Sequence, residues 1–144
     1  MTHGIDTDFL VAIEVTDHPF HRQADNLIQD LLDNGHNLAL APQTLAEFIH
    51  IVSDSRRMPR PLTVTEAITR AEFWWEAKEV ERVFPVGQSV TGFFGWLRQY
   101  GLGRKRLLDT LLAATFLQHG VGKIVTNNGK DYQVFGEFEI IGYR

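Results

Sequence analysis

Four short stretches of this 144-residue chain carry side chains that could do chemistry together. Asp6 closes a stretch, His3 to Asp6, that reads as a strand, and Asp8 follows within the same turn of chain. Glu47 lies in the first turns of a helix that should begin at Pro42. Asp109 interrupts the most apolar run, with Leu112, Ala113 and Phe116 at i+3, i+4 and i+7. Thr126-Asn127-Asn128 leads out of another short apolar strand, and Asp131 comes soon after. Open α/β sheets bind ligands in the crevice outside the carboxyl ends of their strands, so Asp6 and Thr126 would open on one crevice if their strands are parallel neighbours. A buried carboxylate such as Asp109 must be paired, protonated or metal-bound. Oxygen ligands of this kind suit Mg²⁺ or Mn²⁺. Such an ion can polarise a phosphoryl oxygen, acidify a bound water and stabilise a leaving alkoxide.

Each of these residues also has a plainer reading. Asp6 alone would cap a helix, and Asp8 is favoured as a first-turn acid complementing the helix dipole rather than as a direct ligand. Glu47 alone would be a solvated helix residue, and Asp109 a first-turn acid of a helix that starts later than Arg104. The Thr126 hydroxyl holds Asp6 or a ligand, or simply ends a strand. His50, one turn beyond Glu47, reads as a surface residue, and His18 and His21 as helix-start residues. Trp74, Trp75, Phe93, Phe94 and Trp96 fit a core or a dimer interface better than a base-stacking platform. Arg104, Lys105 and Arg106 are either a solvated helix start or a phosphate grip beside Asp109. The dipole disfavours cations at a helix start, which tilts them towards contact with substrate. No Ser-His-Asp order, phosphate-binding glycine loop or HExxH motif competes with the acids.

The positioning elements alternate. Strands are expected at His3 to Asp6, Asn37 to Leu40, Glu81 to Pro85, Gly122 to Thr126 and Phe138 to Ile141. Helices are expected at Asp8 to Glu14, Phe20 to Leu32, Pro42 to Ser53, about Thr63 to Glu76, Ser89 to Tyr100 and Arg104 to His119, with a helical turn at Lys130 to Phe135. That alternation gives an α/β fold with a mostly parallel sheet covered on both faces. The length suits a single domain over residues 1–144. Without cysteine there is no disulfide framework, thiolate nucleophile or zinc ribbon. A net charge of −4 argues against a protein that coats nucleic acid by bulk attraction. No apolar run approaches a membrane span and no leader pattern is visible, so a soluble cytoplasmic protein is expected.

Gly4-Ile-Asp6-Thr-Asp-Phe-Leu, Pro42-Gln-Thr-Leu-Ala-Glu47-Phe, Leu-Leu-Asp109-Thr-Leu-Leu-Ala-Ala and Val-Thr126-Asn-Asn128-Gly-Lys-Asp131-Tyr resemble, in order and spacing, the PIN-domain proteins. The likeness is greatest to ribonuclease toxins of the VapC type in type II toxin–antitoxin systems. It implies a three-layer α/β/α fold, RNA cleavage, and Mg²⁺ or Mn²⁺ held by Asp6, Glu47 and Asp109. Where many relatives read Thr-x-Asp this chain has Asn128, so the fourth catalytic position carries no charge and Asp131 is the nearby alternative ligand. The resemblance further implies a homodimer and a small antitoxin of the VapB type. Two other functions stand beside it: a PIN-like scaffold that binds RNA or protein without cutting, and a haloacid-dehalogenase-type phosphatase built on Asp6-x-Asp8.

Overall fold

A computed structural model describes residues 1–144. The chain runs β1 (Thr2–Ile5), α1 (Thr7–Glu14), α2 (His21–Asp33), β2 (Asn37–Leu40), α3 (Pro42–Val52), α4 (Val64–Glu76), β3 (Val80–Arg82), α5 (Gly87–Tyr100), α6 (Leu107–Gln118), β4 (Lys123–Val125), α7 (Lys130–Gln133) and β5 (Glu139–Ile141). A 3₁₀ turn, Arg104–Arg106, precedes α6. The five strands form one sheet in the order β3-β2-β1-β4-β5, and every pairing is parallel. The chain builds outward from β1 through β2 to β3, then crosses back to lay β4 on the other side of β1. The order reverses between β1 and β4, and the carboxyl ends of those two strands carry Asp6 and Thr126.

The strands alternate strictly. Ile5, Leu38, Leu40 and Val125 point into a core shared with α1 to α4, whereas Ala39 and Ile124 point into a second core beneath α6. The face under α6 is lined with small residues, and Gly4 is the tightest point. A Cβ added there would lie 2.7 Å from the Phe116 ring. Small residues on β1 and β2 thus let α6 settle close to the sheet, which carries Asp109 towards the end of β1.

Local chemistry explains the helix ends. Asp6 caps α1 in an extended conformation, its side chain accepting from the Thr7 N–H. Pro42 opens α3. Thr63 and Glu66 close a reciprocal capping box on α4. Gly101 ends α5 at φ 60°, where a side chain would be strained.

One expected element is different. The helix anticipated from Arg104 to His119 starts at Leu107, and the three basic residues form a separate tight turn. Positive charge is disfavoured at a helix N-terminus. Arg106 instead turns away to hold Asp131. Asp109 consequently lies in the first turn of α6. Two strands differ at their ends: β3 begins one residue earlier than expected and ends three earlier, at Arg82, and β4 is one residue shorter at each end.

Substituting Gly4→Ala should lower unfolding free energy by about 1–3 kcal/mol through overpacking against Phe116. Gly95→Ala, on α5 where a new Cβ meets nothing within 4 Å, should raise it by about 0.5–1 kcal/mol. Urea unfolding of the two variants checks the opposite signs.

Candidate active site

The site is built from the ends of β1 and β4. The backbone of Asp6 stays in the ladder, its N–H donating to the Val125 carbonyl at 3.3 Å. Its side chain is buried and fully engaged on one side: Oδ1 accepts from the Thr7 N–H and Oδ2 from the Thr126 hydroxyl, both at 2.9 Å. Asp8 accepts from the Asn127 N–H at 2.9 Å and lies 3.3 Å from the same Thr126 hydroxyl. The single hydroxyl proton goes to the nearer Asp6, and Thr126 Oγ1 in turn accepts from the Asn128 N–H at 2.9 Å. Asn127 turns the other way, its Oδ1 accepting from the Tyr143 N–H at 2.8 Å beyond β5. The carboxyl-terminal residues therefore clip the loop after β4.

The start of α6 and the first turns of α3 complete a small cleft with Asp6, Glu47 and Asp109 on its walls. Leu108 and Leu112 flank Asp109, and Gln43 and Thr44 flank Glu47. Two buried polar atoms on the α3 wall, Gln43 Nε2 and Thr44 Oγ1, have no hydrogen-bond partner. Such atoms need a polar occupant such as water or a ligand.

Electrostatics unites the acids. Burial pushes the Asp6 carboxyl up to about 8, with Asp8 and Asp109 adding repulsion against the stabilising bonds from Thr126 and Thr7. Asp109 is pushed up to about 6 by burial and then by Asp131, with Glu47 adding to it and Arg106 opposing. Burial also raises Asp8, despite its bonds from Asn127, Tyr143 and Thr126. Like charges are crowded here with little cationic relief, and the donors are all oxygen. That chemistry fits a hard divalent ion, and Asp6, Asp109 and Glu47 are the cleft residues that could hold one. The acids share the cleft without closing into a cage: no three acidic or imidazole side chains sit at ligand spacing. Mg²⁺ tolerates such openness, because it keeps several of its waters.

The remaining residues singled out in the sequence fall in different places. Asp131 faces Asp109, but its Oδ1 lies 3.6 Å from Arg106 Nε and its carbonyl accepts from the same guanidinium. Asn128 is exposed and is held through its backbone. Arg104 and Lys105 are exposed on the turn before Leu108, while Arg106 is directed inward. His50 is exposed. Trp96 stacks on Phe135 with ring centroids 4.2 Å apart, and Trp74 donates its indole N–H to Glu14. Both rings therefore serve packing. No role is legible in the sequence for Tyr132, whose hydroxyl reaches Asp109, or for Tyr143 behind Asp8. In a pattern of apolar spacing, a buried tyrosine looks like any other core residue.

Residues 5–135 match the PIN domain. The chain belongs to the PIN-domain family. Solved structures with the same fold include VapBC2 from Rickettsia felis bound to a promoter DNA fragment, at a TM-score of 0.71 and 17% identity over 100% of both chains. VapC20 from Mycobacterium tuberculosis, described as a Sarcin-Ricin loop cleaving toxin, is similar at a TM-score of 0.71 and 16% identity, covering 96% of this chain and 98% of that one. FitAcB from Neisseria gonorrhoeae is similar at a TM-score of 0.65 and 13% identity, covering 98% and 96%. No curated protein matches this PIN domain in sequence.

The raised Asp6 pKa makes a prediction about stability. The folded state holds a proton that the unfolded chain releases near the ordinary aspartate value of 3.8, so without divalent cations stability declines as pH rises from there through about 8. Asp6→Asn removes this contribution. Urea unfolding in chelator should therefore show the variant gaining on the native protein between pH 5 and pH 8, and a constant difference would refute the charge account.

Proposed function

We propose that this PIN domain is a metal-dependent endoribonuclease and the toxin of a type II toxin–antitoxin pair. The observation that carries the reading is the convergence of Asp6, Asp109 and Glu47 on one cleft at the switch point of the sheet. Asp6, Asp109 and Glu47 would hold Mg²⁺ or Mn²⁺, and Asp131, which faces Asp109, would be the further candidate ligand. When bound, a divalent ion would supply Lewis acidity at the scissile phosphate and make water more acidic there.

The chain's own groups do the rest. Thr126 and the Thr7 N–H fix both oxygens of Asp6, so the carboxylate does not swing when the RNA backbone enters. Asp8, held by the Asn127 N–H, keeps the loop after β4 against β1. Asn128, exposed at the rim, orients a ligand or a bound water by its amide. Arg104 and Lys105, exposed beside Leu108, attract the phosphates flanking the cut. Water attacks phosphorus and a P–O bond breaks, so no covalent bond to the protein forms.

The toxin part of the reading is supported by the company the fold keeps, since VapBC and FitAB assemblies are among the similar structures. A small antitoxin of the VapB type and a second copy of this chain are the partners it implies, and the cytoplasm is where such a pair would act. No helix is long and apolar enough to cross a membrane. One observation favours a second reading. Asn128 brings no charge and Asp131 is engaged by Arg106, so the fourth corner is weak and a scaffold that binds RNA or protein without cutting follows if the ion is not retained.

The purified chain should cut RNA with Mg²⁺ or Mn²⁺ and stop in EDTA. Asp6→Asn and Asp109→Asn should each lower the rate on the order of 10²-fold or more. RNA bound but uncut in Mn²⁺ would favour the scaffold, and cleavage unaffected by Asp6→Asn would refute the site.

A further inference from the structure

Tyr132 is the residue of the acid cluster that no role yet accounts for. Its side chain is fully buried in the core beneath α6, among Leu112, Ala113, Phe116 and Phe135. Those neighbours would accept phenylalanine. A hydroxyl in such surroundings is unfavourable unless it finds a partner, and this one finds carboxylates. It donates to Asp109 Oδ1 at 3.4 Å and also faces Asp6. The bond to Asp109 is long, and Asp6, on another element, is a second acceptor facing the same hydroxyl.

The two carboxylates are not equally supported. Asp6 has the Thr7 N–H and the Thr126 hydroxyl on its two oxygens. Asp109, in the first turn of α6, has no backbone or threonine donor of that kind. The short α7 that carries Tyr132 is held from both sides. Arg106 bonds the Asp131 carbonyl, and Gly129 sits so close to β5 that a Cβ there would lie 2.8 Å from Ile140 Cγ2. The hydroxyl is thus a fixed point, and the other side-chain partner of Asp109 is the carboxyl of Asp131, which Arg106 already engages.

We propose that the Tyr132 hydroxyl is a positioning group for the metal site, holding Asp109 Oδ1 inward so that Asp109 Oδ2 is presented to the cleft beside Asp6. It acts through Asp109 and touches neither ion nor RNA. The inference rests on the metal-dependent reading of the cleft. Partners that orient metal ligands set affinity as well as rate, and their loss costs about 10–100-fold.

The test compares the full chain with Tyr132→Phe and Phe135→Leu, using calorimetric titration with MnCl₂, thermal unfolding in chelator, and RNA cleavage across Mn²⁺ concentrations. Tyr132→Phe should fold normally, bind Mn²⁺ about 10–100-fold more weakly, and regain most of its rate as Mn²⁺ is raised. Phe135→Leu, a packing change in the same core, should lower the unfolding temperature and leave Mn²⁺ affinity unchanged. Tyr132→Phe binding Mn²⁺ as tightly as the native chain, or more tightly, overturns the positioning role while the nuclease reading stands. A native chain that binds no Mn²⁺ overturns both.

Discussion

A carboxylate buried at the end of a strand, with two more acids facing it, is the constraint on which this structure turns. Asp6 is 6% exposed and repelled by Asp8 and Asp109. Two hydrogen bonds hold it, and both come from neighbours that the fold must supply: the first N–H of α1 and the hydroxyl of Thr126, 120 residues away in sequence. The first requires the chain to turn into a helix immediately after β1. The second requires β4 to lie beside β1 and to end level with it. Sheet order and parallel direction are therefore prerequisites of the site.

The same constraint shapes the second layer. Gly4 and Ala39 leave room for α6 to approach, and Asp109 arrives at the cleft because Phe116, two turns further along α6, packs directly over Gly4. Behind the acids, Tyr143 and Asn127 clip the carboxyl terminus to the loop after β4, while Tyr132 and Arg106 anchor α7 beneath α6. Negative charge is concentrated at one edge of the sheet and braced by groups that are mostly neutral. An arrangement of this kind favours a cation from solution over an internal ion pair, since internal pairing would satisfy the acids and remove their capacity to bind.

Much of this was legible in the sequence because it is written locally. Asn37 to Leu40 is a strand with the expected ends, Pro42 opens α3, and α4 begins beside Thr63 and ends at Glu76 as its pattern indicates. The strand-end positions of Asp6 and Thr126 follow from short apolar runs and a parallel α/β topology. What escaped depends on tertiary contact. The hydropathy of Arg104 to Leu107 does not reveal that Arg106 leaves the helix line for Asp131, and so the start of α6 was expected three residues early. Asp8 reads as a first-turn acid and is one, yet its bond to the Asn127 N–H joins segments that no local pattern connects. Tyr132 and Tyr143 occupy positions where spacing asks only for an apolar body, and the hydroxyl's partner lies on another element.

The central claim is that the acids of β1, α3 and α6 form one cation site. Crystals of the protein soaked in MnCl₂, with anomalous diffraction recorded above the manganese edge, test it directly. The account predicts a peak in the cleft between the carboxylates of Asp6 and Asp109, with Glu47 on its third side. A saturating soak that leaves this cleft without a peak, or places manganese only elsewhere on the surface, would contradict it.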